Sequence, residues 1–499
     1  MSRKGSITIF LSLSMTMILS LIFTLLESAR IYGLQSQATS ESRLVLESEM
    51  AQYNRALYEQ YHMYFLEANA DGALSLSSLE SAMQVLGMEN LQGVHRETER
   101  SAMNLYAMNL TECQITQEEL ATDNDGQAFA VQAAAYMKSR LLLVGLEALY
   151  ENAQEMQQMT EENGDVDGLM QQADDTLGDL EAANEAANAA SPGEPEEPME
   201  TVPVDEDFEN PMDHVKDLKN QTILSQVIDN VSAVSDSSFK EEQDLFHRQL
   251  YRGNYTGEKP GMTDKLLFKE YLLDQFGSYR KVNSQGVLKY EQEYLICGKS
   301  SDKENLTKIV EKLLAIREVA NYVFLHKDTE KVTLAYSMAL LIGGPSLNPA
   351  VIKVIQEGII AAWAYTESVQ DVKTLLKGGK ISMIKEAGEW ESNLQKLSES
   401  TYEQTASEKL MPGIDYAGYL RILMYMTAEK KLAMRSLNLM EQNLRQQTNN
   451  PNFRMDCMIG TMSVYTKYEA GPLFFGLFGS GNGWDGNYRM ERSNLFGYQ

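Results

Sequence analysis

The sequence predicts an α+β protein, mostly helical: one N-terminal transmembrane helix continuing into a long amphipathic helix, then a helix-rich extracytoplasmic domain with a small antiparallel sheet. Three observations predict it. Residues 6–26 contain no charged side chain. Apolar residues behind them recur at helical spacing. Capped helical patterns, with short runs of β-formers between turn residues, fill the C-terminal half.

The opening stretch is RKGSITIFLSLSMTMILSLIFTLLESAR, residues 3–30. At 1.5 Å per residue its uncharged part, about 21 residues, spans the roughly 30 Å hydrocarbon core of a bilayer. A cleavable secretory signal has a shorter apolar core, about 7 to 15 residues, and small residues before the cut. Here Glu27 stands two residues before the candidate cut site at Ala29. That favours an anchor that stays. Arg3 and Lys4 precede the span and no basic residue follows until Arg30, so the positive-inside rule places residues 1–5 in the cytoplasm and the bulk of the chain outside the cell.

Within the span, Thr8, Ser12, Thr16, Ser20 and Thr24 recur every four residues, and Ser28 continues the row. Small residues at this spacing make a ridge on which a second membrane helix can pack closely. In the plainer alternative, each hydroxyl bonds a carbonyl one turn back in its own helix.

The chain has 499 residues, 43% of them apolar, enough for a sizeable core in two or three domains. A net charge of −28 argues against nucleic acid as a partner. Residues 151–210 hold 19 Asp and Glu and no Lys or Arg, so most of that charge lies in one segment. Cys113, Cys297 and Cys457 are too few and too widely spaced for a disulfide framework or a zinc site, though one pair could bridge. No cofactor is expected.

After the span, Leu46, Met50, Tyr53, Leu57, Tyr61, Tyr64 and Ala68 form an apolar stripe, and residues 27–150 read as a helical juxtamembrane region. Residues 151–213 read as an acidic, low-complexity linker or insertion that buries too little apolar surface to fold. Inside it Asn163, Asp165, Asp167 and Asp174, with Gly168 between, have an EF-hand-like spacing and make a weak calcium candidate; acid-rich segments produce such spacings by chance.

Residues 214–475 read as an extracytoplasmic α+β domain. β-formers over Leu288–Ile296 predict a strand; Gly298 a turn; Ser301, with Glu304 three residues on, a helix start. The GKS at 298–300 is a turn and cap, since Glu293 stands where a phosphate-binding loop needs Gly. Asn348 and Pro349 open a buried helix that Gly378 and Gly379 close. A single helix is expected from Asp415 to about Gln446, then a closing strand in MDCMIGTMSVYTKYEAGPLFF, then a loosely ordered Gly- and aromatic-rich tail, 476–499.

The segments KGSITIFLSL…LLESAR, LKYEQEYLICGKSSDKENL, WAYTESVQDVKTLLKGGK, DYAGYLRILMYM and VYTKYEAGPLF together resemble an uncharacterised bacterial membrane-protein family, domain of unknown function 5702. The resemblance covers both ends and most of the C-terminal half, without the acidic segment. It implies likeness to the pseudopilin-like proteins of tight-adherence (Tad, TadE/TadG-like) pilus systems, near which such proteins tend to be encoded in Gram-positive bacteria. Arg3, Lys4 and Gly5 fit a pilin-type leader, but Phe10 stands where such a leader carries Glu. Loss of a membrane-buried Glu that pairs subunits favours an uncleaved anchor over a pilus subunit.

The expected function is therefore a single-pass accessory or minor component of a Tad-like pilus or secretion assembly, with the bilayer and other membrane helices or pilus components as partners. A stand-alone surface binding or sensor module and a cleaved minor pseudopilin are the alternatives. An enzyme is not expected: no GxSxG or HExxH occurs, and only carboxylates such as Glu367 and Asp371, one helical turn apart, could serve.

Overall fold

The computed structural model describes residues 3–92, 105–140, 146–162, 165–187, 210–241, 244–257, 259–344, 348–390, 392–394, 413–474 and 486–498. The chain divides into two compact units: Met1–Tyr136 with Leu245–Asp264 and Met440–Gln499, and Met137–Asp244 with Lys265–Leu439. The boundary expected at 214 is therefore redrawn. The closing strand joins the N-terminal residues, because the strands it hydrogen-bonds lie at the two ends of the chain.

In the first unit α1 (Arg3–Met50) is one unbroken helix, the apolar stretch and its continuation. It stops short of the full stripe. Asn54 accepts the Leu57 N–H to start α2 (Arg55–Tyr61), and His62, at φ 57°, ends it. Leu46, Met50, Leu57, Tyr61 and Ala68 are all buried, so the stripe marks core residues on two helices and the segment after them.

Next come β1 (Leu66–Glu67), a hairpin of β2 (Asn69–Ala70) and β3 (Ala73–Leu74), α3 (Leu76–Gln92), β4 (Met108–Leu120) and α4 (Gln127–Lys138). The region 27–150 is thus not wholly helical. Met108 and Leu110 of β4 face inward, then a register shift between Leu110 and Glu112 makes Cys113 the next buried residue. One extra residue in a bulge reverses the inward set and hides the period of two.

The closing strand is β5 (Met458–Ala470), at the centre of an antiparallel sheet. It pairs with β4 from Met108 opposite Ala470 to Leu120 opposite Ile459, and Leu66 of β1 also lies opposite Ile459. The tail is ordered where described: β6 (Tyr488–Gly497) pairs with β5 from Tyr488 opposite Ala470 to Gly497 opposite Thr461. Its charges masked it as a strand, yet Arg489 and Glu491 are exposed while Met490 between them is buried.

Leu34, Ala38, Val45 and Met50 of α1 and Met83 and Leu91 of α3 pack on Leu110, Met462, Val464, Tyr468 and Met490 of the sheet. Each larger side chain buried this way contributes about 1.5–3 kcal/mol. Thr466 of β5 and Asn494 of β6 both donate to the Ser42 hydroxyl at 2.7 Å, which fixes the helix against the strands.

The second unit is helical: α5 (Leu146–Glu162), α6 (Val166–Ala187), α7 (Pro211–Lys219), α8 (Ile223–Val227), α9 (Met262–Gln275), α10 (Glu291–Cys297), α11 (Asp302–Lys327), α12 (Thr329–Gly343), α13 (Pro349–Lys377), α14 (Tyr416–Met426) and α15 (Glu429–Thr448), whose last turns belong to the first unit. The caps of α13 are those expected: Asn348 accepts the Ala350 N–H, and Gly378 closes the helix at φ 99°.

Three expectations are corrected here. The strand expected over Leu288–Ile296 is α10, closed by Gly298 at φ 73° with its N–H on the Tyr294 carbonyl; a short apolar run does not itself distinguish helix from strand. The helix expected from Asp415 is two, because Thr427 takes an extended ψ of 137°. The acidic segment is largely helical, in α5 and α6, and its Pro- and Glu-rich remainder, 188–209, lies outside the described residues. α6 packs on α13 through Ala173, and a Cβ on Gly358 would lie 2.2 Å from the Ala173 Cβ. Only glycine permits that approach.

Candidate functional site

α1 changes character between Leu26 and Glu27. From Ile7 to Leu26 no side chain is buried, and Phe10 and Met17 are 71% and 78% exposed. From Glu27 one face is buried, through Arg30, Leu34, Ala38 and Ser42. The first part is long and apolar enough to cross a membrane. Displaying such a surface to water costs about 25 cal/mol per Å² of apolar area, a cost that lipid removes.

Thr8, Ser12, Thr16, Ser20 and Thr24 all lie exposed along this part. The Thr16 hydroxyl donates to the Ser12 carbonyl at 2.5 Å and the Thr24 hydroxyl to the Ser20 carbonyl at 2.8 Å. A hydroxyl bonded in this way still has an acceptor site for a neighbour.

Directly after the apolar part, Glu27 and Arg30 form a buried clasp, their side chains 0% and 4% exposed. Arg30 Nη1 lies 2.9 Å from Glu27 Oε1 and 2.8 Å from the Gly471 carbonyl, Nε 2.5 Å from the Leu105 carbonyl, and Nη2 2.7 Å from the Tyr106 carbonyl. Glu27 also accepts the Phe474 N–H at 2.8 Å. Leu105 and Tyr106 lead into β4, and Gly471 to Phe474 follow β5, so one ion pair ties α1 to both strands. A desolvated pair is tolerable only when its remaining donors and lone pairs are occupied, and the five-donor guanidinium can occupy them. Gly33 completes the fit: a Cβ there would lie 2.4 Å from the Tyr106 ring.

Sequence reasoning uses Glu27 against cleavage and Arg30 as the first basic residue after the span, and misses that the two pair. The available signal was two opposite charges three residues apart at the end of an apolar span.

Glu367 and Asp371 of α13 are brought together, inside the second unit. Asp371 meets Arg317 Nε of α11 at 2.9 Å and Lys385 Nζ at 2.6 Å, and Lys385 also pairs with Glu367. Arg317 further donates to the Ser382 and Met383 carbonyls and the Tyr419 hydroxyl. Burial pushes the Asp371 carboxyl up, but the Arg317 and Lys385 charges outweigh it and hold the group below the usual carboxylate value. Burial likewise works against the Lys385 ammonium, and Asp371 and Glu367 reverse it, raising its pKa. Two acids and two bases thus cross-link α11, α13 and the segment after α13.

Beside this network lies a pocket of about 720 Å³ lined by Lys331 and Thr333 of α12, Trp363 of α13, and Trp390, Ser392 and Asn393. Trp363 Nε1 donates to the Ser392 hydroxyl at 2.8 Å, and the Ser392 N–H to Glu367 at 2.9 Å, which links the pocket wall to the buried charges.

The remaining sequence candidates stay apart. Cys113, Cys297 and Cys457 are free thiols, each pushed up to about 12 by burial. Of the calcium-type set, Asn163 and the side chain of Asp167 lie outside the described residues, and the chain from Val166 is helical where that spacing needs a loop. Asp174 pairs instead with Lys216 at 2.5 Å. Among the described residues no group of three or more His, Cys, Asp or Glu is placed to hold a metal.

No curated protein and no solved structure shows a significant match to the chain. The profile of one family does, over residues 203–470. The match leaves out the opening stretch through which the sequence also resembled that family. It covers most of the second unit, including α10, the Arg317–Asp371 network and the Trp-lined pocket, and it ends with β5. Because it spans more than half of the chain, this protein belongs to the family of unknown function DUF5702.

Proposed function

We propose that the protein is a single-pass membrane protein, without enzymatic activity, that serves as an accessory or minor component of a Tad-like pilus or secretion assembly. In this reading α1 crosses the cell membrane over residues 6–26, residues 1–5 are cytoplasmic and both units lie outside the cell. The observation that carries it is the change at Leu26–Glu27, where an apolar helix exposed on all sides becomes a helix buried along one face. Arg3 and Lys4 support the orientation. The assembly rests on the sequence resemblance and on the hydroxyl ridge, which suits a second membrane helix. No nucleic acid is expected as a partner.

Two tests separate these parts. Alkaline extraction should leave the full chain in the membrane pellet and release a chain lacking residues 1–26; release of both would refute the anchor. Thr16→Leu with Ser20→Leu should reduce recovery of partner proteins in a membrane pull-down. Unchanged recovery would refute the ridge.

The Trp-lined pocket favours a second reading, a stand-alone surface binding module. Normal localisation and a partner-free monomer after deletion of the pilus genes would support that reading over the first. A cleaved minor pseudopilin would start at Ser6, which the N-terminal mass of the protein from native membranes reads directly.

A further inference from the structure

Phe23 belongs to the apolar part of α1, three residues before its end at Leu26. Its ring stacks on Phe474, with centroids 6.0 Å apart and planes within 15°. Phe474 lies beyond β5, and its N–H is held by Glu27 at 2.8 Å. At 1.5 Å rise per residue, Phe23 sits about 4.5 Å on the membrane side of Leu26. A ring stacked on it therefore lies close to the level at which α1 leaves the hydrocarbon.

Other groups at this level suit the same boundary. Leu105 is 51% exposed and its carbonyl is fixed to Arg30, about 6 Å beyond Leu26. That height falls within the polar layer of a bilayer, roughly 5–7 Å per side. Tyr32, 74% exposed, stands slightly higher. Side chains on a helix lean toward its N-terminus, here the membrane side, and Tyr is enriched at this boundary because its ring prefers the apolar side and its hydroxyl the wet side. The only charges among these groups, Glu27 and Arg30, are paired and enclosed.

We propose that Leu473 and Phe474, with Leu105 and Tyr32 around them, form a second membrane contact: Phe474 enters the outer leaflet beside α1 and the others sit in its headgroup layer. The first unit then rests on the lipid surface instead of hanging from α1. This inference rests on the membrane-anchor reading above, and the occupant it names is the bilayer, by continuity with the span.

The test places single nitroxide labels on the full chain in phosphatidylcholine–phosphatidylglycerol vesicles, at Leu11→Cys, Leu473→Cys, Phe474→Cys, Leu105→Cys and Gln114→Cys. Cys113 and Cys457 are buried and Cys297 is half-buried, so unsubstituted protein supplies the labelling background that is subtracted. Collision with oxygen is compared with collision with a polar nickel chelate. Leu11 should favour oxygen strongly, Leu473 and Phe474 should also favour oxygen, Leu105 should be intermediate, and Gln114 should favour the chelate. If Leu11 favours oxygen while Leu473, Phe474 and Leu105 all favour the chelate, the anchor stands and the second contact is refuted. Labels at 473 and 474 shielded from both reagents would mean that protein covers the patch, which also refutes it. If Leu11 favours the chelate, the anchor fails and the contact with it. Leu105→Cys leaves both Phe474 and Phe23 intact, so a disturbed stack at 474 cannot mask the outcome.

Discussion

Arg30 donates to Glu27 at 2.9 Å in a pair almost wholly removed from solvent, one turn beyond the last residue of the apolar span. The pair joins the helix that can cross a membrane to the ends of β4 and β5. The guanidinium thus ties the end of the apolar span to the sheet ahead of the packed face that begins at Leu34.

Removing one member of this pair should be costly. Arg30→Met leaves the Glu27 carboxylate buried without its cation, and the first unit should lose about 3–5 kcal/mol. Glu27→Gln combined with Arg30→Met should recover part of that loss. Thermal unfolding of the purified protein in detergent, run as a double-mutant cycle, measures the coupling.

The same physics applies to Arg317 and Asp371 in the second unit. Asp371→Asn leaves two cations facing one carboxylate and should cost about 3–5 kcal/mol at neutral pH. Its folded pKa lies below the ordinary 3.8, so the stabilisation is complete above about pH 4 and is lost as pH falls through the folded value. Denaturant midpoints should show an acid-side decline in the parent that is shallower in the Asn variant, since Asp456 and Glu357 keep their own lowered pKa values.

Glu293 behaves in the opposite sense. It is fully buried, accepts from the Tyr279 N–H and the Tyr416 hydroxyl, and has one oxygen without a partner among the described residues. Burial pushes its pKa from 4.5 to about 7. The folded state then holds a proton that the unfolded state has released between pH 4.5 and 7, so stability falls as pH rises across that window, by at most about 1.4 kcal/mol per pH unit from this group. Glu293→Gln keeps an acceptor for both donors. It should flatten the decline and be the more stable protein at pH 8, by denaturant unfolding across that range.

Gly358 holds the acidic segment in place. Gly358→Ala puts a methyl group 2.2 Å from the Ala173 Cβ and 3.1 Å from the Met212 sulfur. The expected cost is about 1–3 kcal/mol, with faster limited proteolysis within α6. Unchanged cleavage would mean that α6 does not depend on this contact.

The legible parts of the fold were those with strong local signals. The uncharged run before Glu27 marked α1, and Asn348, Pro349 and Gly378 marked both ends of α13. What escaped was set by tertiary partners. β4 lost its alternation at the Leu110–Glu112 bulge, and β6 shows its pattern only when Met490 is seen facing α1. α6 looked like solvated linker because its contact depends on a glycine far away in sequence. At the candidate site, Glu27 was visible but its partners were not, since carbonyls of Leu105, Tyr106 and Gly471 leave no trace in side-chain chemistry. Glu367 and Asp371 were visible as a pair, while Arg317 and Lys385, which give the pair its meaning, sit on other segments.

In the proposed reading α1 crosses the membrane and carries both units on the outer face. A membrane-impermeant maleimide applied to intact cells tests it most directly, with Ser2→Cys and Thr111→Cys as reporters. Thr111→Cys should label at once, and Ser2→Cys only after the membrane is opened. Immediate labelling at residue 2 with protection at residue 111 would contradict the orientation, and labelling of neither until the cells are broken would contradict an external body altogether.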